Sequence, residues 1–184
     1  LDFLRRNRNR PIVKVVSGIR RCGKSTLFRL FKDELLSEGV KPEQIISINF
    51  EELEYEHLRD YHALYQYILE RMQPDEMNYI FLDEIQHVDQ FHRVVDSLFV
   101  KENTDLYITG SNAYFMSSDI ATLLTGRYVE IQMLPLSFSE FYYSKYDGNQ
   151  YSLIPAYESY LRESSFPYTQ QLGGEDFDIQ EYLR

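Results

Sequence analysis

The segment GIRRCGKS at residues 18–25 allows few folds for the chain around it. It matches G-x-x-x-x-G-K-[ST] and lies between a β-branched run, IVKVV, and a stretch of helical period. Glycines allow backbone angles that turn successive N–H groups inward, which forms a nest for phosphate oxygens at a helix N-terminus. Lys24 would contact the terminal phosphates of a nucleotide, and the Ser25 hydroxyl would hold Mg²⁺. The predicted phosphate loop comprises Gly18, Ile19, Arg20, Arg21, Cys22, Gly23, Lys24, Ser25 and Thr26.

Apolar runs alternate with helical stretches along the chain. The runs lie at residues 12–16, 44–50, 79–82, 106–109 and 128–133, and helical spacing at 24–38, 58–72, 90–101, 113–124 and 137–146. This alternation predicts βαβ units that form a parallel five-stranded sheet with helices on both faces. The predicted fold class is therefore α/β, a P-loop NTPase. We place this core at residues 1–146 and an extension of loops and short helices at 147–184, where turn residues are frequent.

Two carboxylates follow the apolar run YIFL, at Asp83 and Glu84. An aspartate at the end of a strand can hold the magnesium ion beside the Ser25 hydroxyl. Glu84 would project toward the γ-phosphate and orient or deprotonate the attacking water. Acids after a strand are commonly solvated turn residues, so it is the phosphate loop upstream that favours the functional interpretation.

Two further segments are weaker candidates. The segment TGSN at residues 109–112 ends the fourth run, where a polar side chain would hydrogen-bond the γ-phosphate or its water. Capping of the next helix by Ser111 or Asn112 is an equally good interpretation. Arg127 opens the fifth run, and an arginine there would stabilise charge on the transferring phosphoryl group. Its alternative is an ordinary surface arginine.

Charge is distributed unevenly along the chain. The net charge is −10, yet residues 1–32 carry ten cations and one acid and so +9, which leaves −19 for the rest. A uniformly basic surface of the kind that binds nucleic acid is excluded. The basic N-terminal segment indicates an anionic ligand nearby. The phosphate loop accounts for part of this charge. The remaining arginines could flank a nucleotide, contact nucleic acid or a partner, or be solvated; they are Arg5, Arg6, Arg8 and Arg10.

The single cysteine, Cys22, cannot form an internal disulfide, so a reducing compartment and a cytoplasmic location are predicted. No window of 18 apolar residues occurs, and we predict neither a membrane span nor a signal peptide. The chain starts at Leu1 and ends at Arg184 directly after the helical-looking QEYL. We therefore expect part of the protein to lie outside this sequence.

The motifs GIRRCGKST, YIFLDEIQ, YITGSN and LLTGRYVEIQMLPLSFSEF occur in that order. Together they resemble the prokaryotic AAA-type predicted ATPases, AAA domain family fourteen. The resemblance runs from about Pro11 to Phe141 and implies an ATP-binding core with strand order 5-1-4-3-2. It also implies that Glu84 is the catalytic carboxylate, and that Arg127 and the segment of Ser111 and Asn112 sense or stabilise the γ-phosphate. Members of that family usually continue into a C-terminal domain.

The leading interpretation is Mg²⁺-dependent ATP hydrolysis coupled to a protein partner or to the protein's own C-terminal domain. A nucleotide-gated binding module with little intrinsic turnover is the alternative, with DNA association and self-association left open. A small-molecule kinase is less favoured because no acceptor-binding motif accompanies the Asp-Glu pair. A GTPase is less favoured still, because no N-K-x-D motif occurs.

Overall fold

A computed structural model describes residues 1–110, 124–146, 152–163 and 165–171. The strands are β1 Val13–Gly18, β2 Ile45–Asn49, β3 Asn78–Asp83, β4 Thr104–Gly110 and β5 Tyr128–Met133. The helices are α1 Asp2–Asn7, α2 Lys24–Ser37, α3 Tyr61–Arg71, α4 Phe91–Phe99, α5 Phe138–Tyr146 and α6 Leu153–Glu163. Short 3₁₀ turns lie at Pro42–Gln44, Leu53–Leu58, Ile85–His87 and Pro167–Gln171.

The strands form one parallel sheet in the order β2-β3-β4-β1-β5. Read from the other edge this is 5-1-4-3-2, so the predicted strand order and fold class are confirmed. The register pairs Asn49 with Asp83 and Leu82 with Ile108. The strands therefore end together, and the carboxyl edge of the sheet collects the polar residues that terminate β1, β3 and β4.

One face of the sheet is covered by α2. Phe28 and Phe31 of this helix pack against Phe81 of β3 and Tyr107 of β4, with ring centroids 5.2 Å apart for Phe28 and Phe81. Phe81 and Tyr107 are themselves stacked at 4.7 Å. Aromatic contacts of this kind contribute about 0.5–1.5 kcal/mol each beyond the area they bury. This aromatic layer fixes how α2 lies along the sheet.

The opposite face is covered by α3 and α4. Because side chains alternate across a strand, the residues next to the aromatic ones face this second layer. The layer is aliphatic, and its main members are Val13, Val15, Ile46, Ile48, Leu64, Ile68, Ile80, Leu82, Val94, Val95, Leu98, Leu106 and Ile108. Helices on both faces of the sheet were predicted, and the structure confirms them.

The helices differ from the sequence prediction most clearly at the start of α3 and in the presence of α1. The predicted helix at 58–72 begins at Tyr61, because the Asp60 side chain accepts a hydrogen bond from the Ala63 N–H at 2.9 Å and caps the helix there. Helix α1 was not predicted, because six residues are too few to show a periodic pattern. The predicted helix at 113–124 falls almost wholly outside the described residues.

Two N-terminal arginines hold α1, and the segment between α1 and β1, against the C-terminal end of α2. Arg5 forms two hydrogen bonds to the Glu34 carboxylate, at 2.7 and 2.6 Å. Arg8 pairs with Glu38 and donates to the Tyr79 hydroxyl at 3.3 Å. Two of the four unassigned arginines therefore have a structural role in anchoring the N-terminal segment to α2.

A buried ion pair joins β1 to β4 at the amino end of the strands. Lys14 contacts Asp105, and neither side chain is more than 1% exposed. Asp105 also accepts from the Tyr107 hydroxyl at 2.7 Å and from the Asn9 N–H at 2.8 Å. Burial lowers the pKa of Lys14, and the nearby Asp105 carboxylate opposes that shift.

The packing divides the chain into two compact units. The first comprises residues 1–18 and 24–132, and the second comprises residues 19–23 and 133–184. In the second unit α5 packs on α6 through Phe138 against Tyr157 and Phe141 against Tyr160, with centroids 5.1 and 5.2 Å apart. The predicted boundary at 146/147 between a core and its extension stays a prediction. Across the described parts of the chain, no helix is long and apolar enough to cross a membrane.

We expect Lys14→Met to lower the free energy of unfolding by about 3–5 kcal/mol, because it leaves the Asp105 carboxylate buried without a cation. Urea unfolding followed by circular dichroism measures the loss. Lys41→Met is the matched control, since Lys41 forms an exposed pair with Glu76 and such pairs contribute at most about 1 kcal/mol. Equal, small losses in the two variants would contradict the structural role of the buried pair.

Candidate functional site

The carboxyl edge of the sheet brings together side chains from three elements on the face covered by α2. Asp83 is the last residue of β3, Thr109 lies near the end of β4, and Lys24 and Ser25 form the first turn of α2. The parallel register and the aromatic packing of α2 place them there. Three of these four residues were predicted to act together, and the structure makes them neighbours.

Lys24 is almost fully buried, and its ammonium group contacts Glu84 and Gly18. Nζ lies 3.0 Å from Oε1 of Glu84, and it donates to the Gly18 carbonyl at 3.2 Å. The lysine predicted to contact phosphates and the glutamate predicted to activate water thus form an ion pair. A phosphate group at this position would compete with Glu84 for the ammonium group.

Asp83 is 7% exposed. The hydroxyls of Ser25 and Thr109 both hydrogen-bond its carboxylate. Burial raises the pKa of Asp83, and these two hydrogen bonds oppose the rise. A hydroxyl and a carboxylate in contact are a ligand pair that suits Mg²⁺, which prefers oxygen and takes few ligands from the protein. Ser25 and Asp83 therefore fit the metal role predicted for them.

Glu84 has a left-handed backbone, with φ 56° and ψ 49°. For a residue with a side chain this conformation costs about 1–2 kcal/mol. Its backbone N–H donates to Oγ1 of Thr109 at 2.9 Å, and its Oε2 accepts from Nε2 of Gln86 at 2.5 Å. These contacts, with Lys24, fix the direction of the carboxylate.

Residues 19–23 of the predicted phosphate loop belong to the second unit. Gly23 has φ 103° and Arg21 has φ 70°, both left-handed. A Cβ atom at Gly23 would meet Met133 Cε at 3.7 Å and Pro167 Cγ at 4.0 Å, which are ordinary contacts. Glycine is therefore required at this position by its backbone angle, not by lack of space. Ile19, Arg20 and Arg21 are exposed, and Cys22 is buried.

Arg127 lies at the other end of the strands. Its carbonyl accepts from the N–H of Val13, the first residue of β1, and its Nη1 is 2.8 Å from Oδ1 of Asp96. The end of β1 that leads into the predicted phosphate loop is five residues further on, which at about 3.3 Å per residue is about 16 Å away. The structure therefore does not bring Arg127 to Lys24, Asp83 and Glu84 of its own chain.

Ser111 and Asn112 lie outside the described residues, and Thr26 is exposed on α2. Two contacts that sequence analysis did not identify come from Thr109 and Gln86. The sequence carries a signal for Thr109, a polar residue near the end of an apolar run in the strand next to β3. Nothing in the sequence indicates that the Gln86 amide turns back to Glu84.

The chain belongs to the AAA domain family, whose sequence model, AAA_14, matches residues 10–142. An uncharacterized protein of Haemophilus influenzae is 43% identical over 157 residues, which are 84% of this chain and 39% of that protein. An uncharacterized protein of Methanocaldococcus jannaschii is 32% identical over 134 residues, 70% of this chain and 28% of that protein. The chain thus spans well under half the length of these curated relatives.

Solved structures share the fold at low sequence identity. Caenorhabditis elegans PCH-2 superimposes with a TM-score of 0.62 at 12% identity, over 97% of this chain and 63% of that one. Saccharomyces cerevisiae Hsp104, in its complex with casein, gives a TM-score of 0.60 at 13% identity, over 98% of this chain and 37% of that one. The fold is that of the AAA-type P-loop ATPases, and this class binds nucleotides.

Because burial raises the pKa of Asp83 above its ordinary value of 3.8, the ionised carboxylate costs folding free energy at neutral pH. We expect Asp83→Asn to raise the free energy of unfolding by about 0.5–2 kcal/mol, the range found for single stabilising substitutions. The gain is complete above the raised pKa. It shrinks as the pH falls toward 3.8, because the folded wild type then takes up the proton before the unfolded chain does.

Urea unfolding at about pH 7 and at about pH 4 measures both the gain and its loss. Asp96→Asn is the control, because that carboxylate is partly exposed and pairs with Arg127. A variant at position 83 that is less stable than the wild type at neutral pH would show that the hydrogen bonds to Asp83 outweigh its burial.

Proposed function

We propose that this chain binds ATP with Mg²⁺ and hydrolyses it, and that turnover acts on a partner or on a further part of the same protein. The observation that carries the proposal is the convergence of Lys24, Asp83 and Glu84 at the carboxyl edge of the sheet, where β1 ends. The preference for adenine is taken from the family.

Each side chain has one role in this mechanism. When ATP binds, Lys24 leaves Glu84 and contacts the β- and γ-phosphates. The phosphates then replace the carboxylate as the anionic partner of the buried ammonium group. Ser25 and Asp83 hold the magnesium ion, which when bound neutralises charge on the phosphates. Glu84, released from Lys24 and still held by Gln86, accepts a proton from the attacking water. Phosphoryl transfer needs little else from the protein than positioning and charge stabilisation.

We expect Lys24→Ala to weaken MgATP binding by about 10–100-fold, the equivalent of hydrogen bonds to a charged group. Arg29→Ala is the matched control, since it removes a cation from an exposed position on the same helix. Isothermal titration calorimetry measures both. Binding by the Lys24 variant equal to that of the control would exclude this site as the nucleotide site.

Glu84→Gln is expected to lower the turnover number by about 100-fold or more, because it removes the general base. Binding of MgATP stays as tight as in the wild type or becomes tighter, since Lys24 no longer has to leave a carboxylate. Phosphate release at saturating MgATP and calorimetry report the two effects separately. Undiminished phosphate release would assign water activation to another residue.

A second candidate function, a nucleotide-gated module with little turnover of its own, is favoured by the position of Arg127. In its own chain this arginine pairs with Asp96, about 16 Å along β1 from the phosphate end. A role for Arg127 at a γ-phosphate then requires a second copy of the chain. Isolated chains would bind nucleotide tightly and turn it over slowly.

Mixing two inactive variants tests this role. Glu84→Gln keeps Arg127, and Arg127→Ala keeps Glu84, so an assembly of both contains some sites with the full set of residues. We expect the mixture to recover part of the phosphate release that each variant lacks. A mixture of Glu84→Gln with the double variant is the control, since it offers no complete site. Absence of recovery at every protein concentration would overturn the action of Arg127 between copies.

The curated relatives are more than twice the length of the matched segment, so the effector could be a further domain of the same protein. The cytoplasmic location inferred from the single cysteine stays a prediction.

A further inference from the structure

The Thr109 hydroxyl lies between the two carboxylate residues of the site. Thr109 is fully buried in β4, and the register that pairs Leu82 with Ile108 sets it beside Asp83 of the neighbouring strand. Its Oγ1 donates to Oδ1 of Asp83 and accepts from the backbone N–H of Glu84 at 2.9 Å. A single hydroxyl therefore contacts both residues.

The direction of both hydrogen bonds is fixed by the chemistry of the groups. An ionised carboxylate can only accept, and a backbone N–H can only donate, whereas a hydroxyl does both. The Thr109 hydroxyl therefore donates a hydrogen bond to the Asp83 carboxylate, and a lone pair of the same oxygen accepts a hydrogen bond from the Glu84 N–H. A methyl group in place of the hydroxyl would leave a buried carboxylate oxygen and a buried N–H without these partners, and both groups are costly to leave unpaired.

The hydrogen bond from the Glu84 N–H to Thr109 matters because of the backbone conformation of Glu84. The residue is held in the left-handed region, which an unanchored chain leaves readily. The hydrogen bond from the Glu84 N–H to Thr109 fixes the backbone nitrogen of Glu84. The side chain of this same residue is the predicted general base. The bond to Oδ1 of Asp83 fixes the plane of the carboxylate that also meets the Ser25 hydroxyl.

We propose that Thr109 is a positioning residue that locks Asp83 and Glu84 into one unit, so that the Asp83 carboxylate keeps a constant position relative to the backbone from which the Glu84 side chain extends. The proposal rests on the proposed function of the site. Thr109 acts through these two residues and needs no contact with the nucleotide.

The test uses the full chain with Thr109→Val, Thr109→Ser and Thr104→Val. Valine has nearly the shape of threonine without the hydroxyl, and serine keeps the hydroxyl without the methyl. Thr104 is the matched control, since it lies in the same strand and its hydroxyl donates to the Leu98 carbonyl at 2.7 Å, at the opposite end.

We expect Thr109→Val to lower the turnover number by about 10–100-fold while the KM for ATP changes by less than about threefold, because positioning affects the transition state more than binding. Thr109→Ser should keep turnover within about threefold of the wild type. Thr104→Val should have the turnover number and KM of the wild type when activity is referred to the folded protein, even if its thermal stability is lower. If the valine variant does not fold, Thr109→Ala against Thr109→Ser makes the same comparison.

A second readout does not depend on turnover. The affinity of the protein for Mn²⁺ in the presence of ATP, followed by the electron paramagnetic resonance of the ion, should fall by about 10-fold in Thr109→Val, the lower end of the range for substitutions behind a metal ligand. It should stay unchanged in Thr109→Ser. A wild type that binds Mn²⁺ with ATP but releases no phosphate would contradict the proposed hydrolysis alone. Equal Mn²⁺ affinity in all variants, or a serine variant as impaired as the valine variant, would overturn the role of Thr109.

Discussion

The packing of α2 on β3 and β4 is the contact on which the site depends. Phe28 and Phe31 lie against the stacked pair Phe81 and Tyr107, and the helix is thereby fixed in direction and depth. Since α2 begins at Lys24, the same contact determines where the ammonium group and the Ser25 hydroxyl lie. The α1 segment adds a second anchor at the other end of the helix through Arg5 and Glu34. The position of the site therefore depends on apolar packing that takes no part in its chemistry.

Two groups of buried charges lie at opposite ends of this face, and burial shifts a pKa at each end, that of Lys14 downward and that of Asp83 upward. Lys14 and Asp105 are neutralised by each other and by neighbouring hydrogen bonds, and they join β1 to β4. At the carboxyl end, Asp83 is buried with a raised pKa, and Glu84 keeps a left-handed backbone. Shifted pKa values and strained backbones are common at functional sites, and at the carboxyl end of the sheet both occur in adjacent residues.

Much of this arrangement could be predicted from residue patterns. The phosphate loop was recognisable because its glycines, Lys24 and Ser25 follow one another in the sequence. Asp83 and Glu84 were recognisable because they end an apolar run. Thr109 was not identified as their partner, because its role requires β3 and β4 to be neighbours, and strand order was known only through resemblance to a family. The position of Arg127 could not be predicted either, because it depends on how β5 pairs with β1.

The order of residues along the chain is enough to predict the features that are local: a phosphate loop between a strand and a helix, two acids at the end of another strand, and a basic N-terminal segment. Which of these groups come into contact depends on the folded chain. It pairs Lys24 with Glu84, joins Asp83 to Glu84 through Thr109, attaches Arg5 to α2, and leaves Arg127 at the far end of β1. The physical reason is that these contacts cross strands and helices, and they exist only after the sheet has assembled and α2 has packed upon it.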